Sequence, residues 1–173
     1  SVIPRSAIKP EHGDSQAAQR ACSAATGVRE RLSGPVLLIG HGASCLGLVK
    51  AFGGAGYIGS HVSELLINKN WKVFIYDNLV TGYEKLINKK AKFIKGDIKD
   101  FKKLSQTIKD YNIISVIHLA AYLNISEAEK KKRKYFVNNV GGTLNLLKAC
   151  KNSFVKNLVF SSSCSVYGNA GGS

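Results

Sequence analysis

Beyond residue 53 the apolar positions of this chain alternate between two spacings. Ile58, Val62, Leu65 and Leu66 fall on one face of a helix starting at Tyr57, and Trp71 to Tyr76 follows as a short apolar run, the mark of a buried strand. A second strand carries Phe93 and Ile94 and ends at Gly96-Asp97, after which Phe101, Leu104, Ile108 and Tyr111 recur at helical spacing. Ile114 to Leu119 reads as the next strand. Phe136, Val140, Leu144 and Leu147 stripe a long helix over Tyr135 to Cys150, and Leu158-Val159-Phe160 begins a last strand. Strands alternating with helices predict an α/β fold with a doubly wound parallel sheet, right-handed crossovers and ligand sites at the strand carboxyl ends. Two stretches compete for the central first strand, Pro35 to Ile39 and Leu48 to Phe52. Leu48 to Phe52 is preferred because it leads directly into the glycines that follow, although Lys50 is costly in a strand buried on both faces.

The stretch Gly53-Gly54-Ala55-Gly56-Tyr57-Ile58-Gly59-Ser60-His61 gives the pattern chemical content. Gly53 permits a tight turn, Gly56 lets the backbone approach a pyrophosphate, and Gly59 lets the helix pack on its strand. N–H groups at the helix start face the anion, and the macrodipole favours it there. Asp77 closes the next apolar run 18 residues after Gly59. A carboxylate at that point accepts hydrogen bonds from both ribose hydroxyls of an adenosine and repels a 2′-phosphate. The arrangement predicts a Rossmann fold that takes NAD in preference to NADP. The plainer alternative for Asp77 is a turn residue before Asn78.

Composition bounds the function. A chain of 173 residues that is 45% apolar is long enough for one core of ordinary size. No apolar run approaches the ~18 residues of a membrane helix, and no basic flank precedes an apolar core at the N-terminus, so a cytoplasmic protein is expected. Cys22, Cys45, Cys150 and Cys164 show no CxxC-type spacing, which points to reduced thiols and no metal. The formal charge of +14 raises the question of a polyanion partner. The densest cluster, Lys130-Lys131-Lys132-Arg133-Lys134, follows Glu127 and Glu129 and has no interleaved aromatics. It reads as a solvated helix start, and no nucleic-acid partner is expected.

The chain changes character near residue 52. Before that point there is no asparagine, and Lys9 and Lys50 are the only lysines; after it lysine, asparagine and isoleucine dominate and Arg133 is the only arginine. One folded domain does not require such a shift. Two coding sequences of different base composition joined near residue 52 would produce it, and so would a locally biased N-terminal extension. Residues 1–52 are therefore expected to form an unrelated extension, with residues 1 to about 32 flexible or loosely helical. Residues 53–173 are expected to form the nucleotide-binding domain.

Six motifs carry a resemblance: GGAGYIGSH, YDNL (Tyr76 to Leu79), GDI (Gly96 to Ile98), HLAA (His118 to Ala121), NNVGGT (Asn138 to Thr143) and FSSSCSVYG (Phe160 to Gly168). In order and spacing they resemble the UDP-glucose 4-epimerases, and more broadly the extended short-chain dehydrogenase/reductase superfamily. The resemblance runs from Gly53 to Gly168 and stops about halfway through a complete enzyme of that kind. It implies an NAD cofactor bound by Gly53, Gly56, Tyr57, Ile58 and Gly59, with Asp77 and Asn78 at the ribose. It implies that Asp97 and Ile98 touch the adenine edge, although a solvated turn acid would look the same. Leu119, Ala120 and Ala121 would pass under the pyrophosphate and nicotinamide ribose, or serve ordinary core packing. Asn138 would contact the cofactor, or form with Asn139 a polar pair at a helix start.

The resemblance also implies an isomerase acting on a UDP-sugar, often as a homodimer, with Ser163 as a hydroxyl catalyst beside a Tyr-x-x-x-Lys pair. The tyrosine takes the proton of the sugar C4 hydroxyl, while the cofactor carries the hydride. Here no tyrosine has lysine four positions on, and Asn169-Ala170-Gly171-Gly172-Ser173 stands where the sugar-binding region would begin. The expectation is a truncated NAD-binding portion, inactive as written. The alternatives are a nucleotide-binding module of another epimerase, dehydratase or reductase, or a non-functional junction of two coding sequences. Residues 35–52 weakly resemble the strand–His-Gly–helix element of the histidine phosphatases, with His41 in the place of a catalytic histidine and a short helix over Ala43 to Phe52. The Arg-His-Gly that such chemistry needs is absent, Glu11-His12-Gly13 having the wrong first residue, so His41 is expected to be a plain loop histidine.

Overall fold

The structure, a computed structural model, describes residues 35–41, 44–45, 49–50 and 54–162. Its strands in chain order are β1 (Val36–His41), β2 (Ser44–Cys45), β3 (Val49–Lys50), β4 (Val73–Asp77), β5 (Lys92–Lys95), β6 (Ser115–Ala120) and β7 (Asn157–Phe160). The helices are α1 (Tyr57–Asn68), α2 (Phe101–Asp110), α3 (Ile125–Lys130), α4 (Lys132–Tyr135) and α5 (Gly142–Lys151), with a π-helical segment Phe136–Gly141 joining the last two. Five strands form one parallel sheet in the order β5-β4-β1-β6-β7, while β2 and β3 pair antiparallel by themselves. Within the large sheet this is the 3-2-1-4-5 order of the Rossmann fold, with its reversal between β1 and β6.

The central strand corrects one expectation. Val36 to Gly40 pair with Val73 to Asp77 on one side, and Val36 to His41 pair with Ser115 to Ala120 on the other. Leu48 to Phe52 does not occupy that slot, and the expected helix over Ala43 to Phe52 is replaced by the β2–β3 pair. The physical reason is the one that counted against Leu48 to Phe52 from the start. Val36, Leu37, Leu38 and Ile39 are completely buried, and a position buried on both faces accepts Leu38 where it would reject a lysine. Residues 1–32 lie outside the described residues.

Alternation along the strands divides the core into two layers. Leu37, Ile39, Phe74, Tyr76, Val116 and Ala120 face α2 and α5 through Leu104, Ile108, Leu146 and Ala149. Val36, Leu38, Val73, Ile75 and Ile117 face α1 through Val62, Leu66 and Ile67. Two predicted stripes sit differently from the expectation. Leu65 of α1 is 39% exposed, and Phe136, Val140, Leu144 and Leu147 all point away from the core, whose contacts come from Asn138, Gly142, Leu146 and Ala149. Edge strand β5 carries exposed Lys92 and Lys95, a charge pattern that discourages pairing with another chain.

Candidate functional site

The glycine loop reaches the carboxyl end of β1 even though residues 42–53 intervene. Gly54 lies so close to β1 that a Cβ there would stand 3.1 Å from the Leu38 carbonyl oxygen, 3.4 Å from the Gly40 nitrogen and 3.1 Å from Ile75 Cγ2. Gly56 is the N-cap of α1 in extended conformation, and no side chain caps that end. The first-turn N–H groups of Tyr57, Ile58 and Gly59 have no partner within a helix, and this helix start follows Gly54, which lies against the carboxyl end of β1, beside the reversal of strand order. This is the geometry that binds a phosphate group. Gly53 lies outside the described residues, as do Ser163 and the side chain of His41.

Asp77, last residue of β4, is completely buried. One carboxylate oxygen accepts the Ala55 N–H at 3.0 Å and the other accepts the Leu79 N–H at 2.8 Å. Burial raises its pKa above the ordinary carboxylate value, and the Ala55 and Leu79 bonds act in the opposite direction. Asn78 donates to the Asp97 carboxylate at 3.0 Å, and Asp97 also accepts the Lys99 N–H and pairs with the Lys99 ammonium at 3.4 Å. Asp97 therefore stands at the same sheet edge as Asp77, one strand over. Ile98 is 1% exposed and packs into the core, where Gly142 leaves room for it.

The third part of the site is the loop after β6. Ala120 is buried, while Leu119 and Ala121 are half-buried. The Ala120 N–H donates to His118 Nδ1 at 3.3 Å, so the ring proton sits on Nε2, 2.9 Å from Thr143 Oγ1. Thr143 passes the chain on to the Asn139 carbonyl at 2.6 Å. The Asn139 amide grips the loop at both backbone groups of Tyr122, accepting its N–H at 2.9 Å and donating to its carbonyl at 3.0 Å. Asn138 donates to Asn139 at 2.9 Å, is 1% exposed, and has a buried Oδ1 without a partner. Both asparagines lie in the π-helical segment, a distortion found often at functional sites. The second residue of the pair holds the loop; the first presents an acceptor in want of a donor.

The basic run is partly neutralised. Glu127 accepts bonds from Lys134 at 2.9 Å, Lys131 at 3.1 Å and the Tyr135 hydroxyl at 3.1 Å. These donors hold its pKa down at about 2. Lys134 also lies 4.6 Å from the centre of the Tyr122 ring. Among the described residues no three His, Cys, Asp or Glu side chains gather as a metal site would require, and no helix is long and apolar enough to cross a membrane.

Residues 51–173 match the NAD dependent epimerase/dehydratase family. The chain belongs to that family. A UDP-glucose 4-epimerase of Lactobacillus helveticus is 46% identical over 120 residues, covering 69% of this chain and 36% of the relative; one of Klebsiella pneumoniae is 40% identical over 124 residues, covering 68% of this chain and 89% of the relative. A UDP-glucose 4-epimerase from Brucella ovis, solved in complex with NAD, superposes with TM-score 0.68 at 38% identity over 79% of this chain and 38% of that one. One from Bifidobacterium longum, solved with NAD+ and UDP, gives TM-score 0.65 at 33% identity over 78% of this chain and 38% of that one. The chain thus spans little more than a third of the Lactobacillus helveticus relative and of both solved structures. The family match begins at residue 51, whereas the central strand of the sheet lies at 36–41.

Sequence reading missed several members of this candidate site. Gly54 was visible in the glycine run but had no assigned task. Gly82, against Ala55 and Asp77, carries no signal outside the fold, and Thr143, bonded to His118, closed the NNVGGT motif without an assigned task. Asn139 could have been weighed equally with Asn138, and only the helix phase separates their roles.

Proposed function

We propose that this chain is the NAD-binding portion of a nucleotide-sugar 4-epimerase and that the 173 residues alone do not epimerise a UDP-sugar. The observation that carries the reading is the seat of the glycine loop. Gly54 lies against the end of β1 and the start of α1 carries no side-chain cap, with Asp77 one strand away. The residues present fit a dinucleotide. Tyr57, Ile58 and Gly59 would hold the pyrophosphate through their N–H groups, Asp77 and Asn78 the adenosine ribose, and Asp97 the adenine. Ala121 and the Asn138 Oδ1 would meet the nicotinamide half. NAD supplies hydride acceptance and return when bound; the chain's own contribution is to orient it. The family's hydroxyl catalyst corresponds to Ser163, and an unassisted serine is a poor base near neutral pH. A positioned general base contributes about 10²–10⁴-fold, and no Tyr-x-x-x-Lys occurs here.

The start of the family match at residue 51, where composition changes, supports a second part of the reading. Residues 1–52 have a separate origin from residues 53–173, and the sheet has recruited its central strand from them. A cytoplasmic protein and a homodimeric parent enzyme accompany the proposal. Calorimetry with NAD and NADP tests it: NAD is expected to bind more tightly, and Gly56→Val to abolish binding. Equal affinities for the two cofactors would count against Asp77 as the discriminator. A coupled assay showing UDP-galactose converted to UDP-glucose by this chain would overturn the claim of inactivity.

A further inference from the structure

The carboxylate assigned to the ribose cannot be reached as the protein stands. Asp77 has no exposed surface. Against it lie Ala55 of the glycine loop and the segment 78–83, which leaves β4, doubles back and closes on that loop through a Tyr83 N–H bond to the Ala55 carbonyl at 3.1 Å. Gly82 lies directly over the acid: a Cβ there would stand 3.0 Å from Ala55 Cβ, 3.2 Å from Asp77 Oδ1 and 3.3 Å from the Ala55 carbonyl oxygen.

Three features mark the closed segment as shallowly held. Leu79 takes a left-handed conformation with φ of 60°, which costs a side chain with a Cβ. Thr81 Oγ1 is buried without a partner, a loss that opening to water would relieve. Val80 and Tyr83 are 62% and 51% exposed, so Leu79 is the one large apolar side chain of the strap packed against the core.

We propose that the strap Asn78–Tyr83 gates the Asp77 carboxylate, and that Gly82 is the positioning residue whose lack of a side chain lets the strap close. The inference rests on the NAD reading for its ligand, but the closure itself does not. A nucleotide ribose reaches Asp77 only in the open form, so binding waits on opening, and apparent affinity is the intrinsic affinity scaled by the open fraction. The Gly82→Ala methyl wedges the strap away from Ala55 and Asp77. Thr81→Val replaces the unpartnered hydroxyl with a methyl of the same shape and holds the strap down.

Stopped-flow binding of NADH, followed by its own fluorescence, reads the gate. In the unaltered protein the observed rate should rise with NADH and level off at the opening rate. Gly82→Ala should raise that plateau several-fold and tighten apparent affinity by the same factor, and Thr81→Val should lower the plateau. A rate that stays linear in NADH and is the same in all three proteins overturns the proposal. Hydrogen exchange of the Tyr83 amide decides the matter even where NADH does not bind, an outcome that would sink the NAD reading alone. Protection in the unaltered protein, lost in Gly82→Ala while Ile75 of β4 keeps its own, supports the gate. A Tyr83 amide that exchanges freely in the unaltered protein refutes it. Thr81→Val carries the kinetic test by itself should Gly82→Ala not fold.

Discussion

Replacing Leu38 by alanine tests which segment fills the centre of the sheet. Leu38 is completely buried in β1 and packs with Ala55, Val62, Leu66, Ile75 and Ile117 between α1 and the sheet. Truncation removes three buried carbons, about 2.4 kcal/mol at ~0.8 kcal/mol per methylene. Incomplete collapse of the hole raises the cost to about 3–4 kcal/mol, inside the ~2–5 kcal/mol span of such substitutions. For a domain of this size each kcal/mol lowers Tm by about 2–4 °C, so a fall of about 6–16 °C is expected. Urea unfolding followed by far-ultraviolet circular dichroism should show the loss as a shifted midpoint at unchanged m value. Leu65→Ala, on the exposed side of α1, should stay within about 0.5 kcal/mol of the unaltered protein. The reasoning fails if Leu38→Ala costs less than about 1 kcal/mol while Val49→Ala costs more, because the slot would then belong to residues 48–52.

Two further outcomes follow from buried titratable groups. The folded state raises the Asp77 pKa, so it binds more protons than the unfolded chain between about 3.9 and the raised value, and stability falls as pH rises through that window. Asp77→Asn removes this dependence: the stability of the unaltered protein relative to the variant should decline from pH 4 towards neutrality in paired urea titrations, and the preference for NAD over NADP should narrow in calorimetry. A pH-independent difference would show that Asp77 is not desolvated. The Cys150 thiol is pushed up to about 11 by burial, so with Cys22, Cys45 and Cys164 replaced by serine it should react with a disulfide reagent at pH 8 far more slowly than a free thiol. Labelling at the free-thiol rate before denaturant is added would contradict its burial.

Much of the site was legible because its chemistry is local. Gly56, the start of α1 and Asp77 stand at fixed offsets along the chain, and a helix start after a glycine turn exposes its N–H groups whatever else surrounds it. The helices from Tyr57 and Phe101 and the strands over Trp71 to Tyr76 and Ile114 to Leu119 were readable for the same reason, since period and turn residues lie within a few positions of each other. The exposed stripe Phe136, Val140, Leu144 and Leu147 shows where this reasoning stops. An apolar face at helical spacing says that something can cover it, not that this core does.

By itself, then, the sequence determined the α/β alternation, the glycine turn and the acid at the end of the second sheet strand, all set by backbone sterics and hydrogen bonding over short separations. Only the tertiary structure decided which apolar segment pairs between β4 and β6. Pro35 to Ile39 and Leu48 to Phe52 have similar strand character, and the choice rests on burial from both faces at once, where Leu38 fits and Lys50 does not. It also decided that Asp77 lies beneath Gly82, and that Asn139, not Asn138, grips the backbone of Tyr122. Those are meetings of residues far apart in the chain. Their free energy depends on solvent exclusion and close approach, which exist only once the layers have packed.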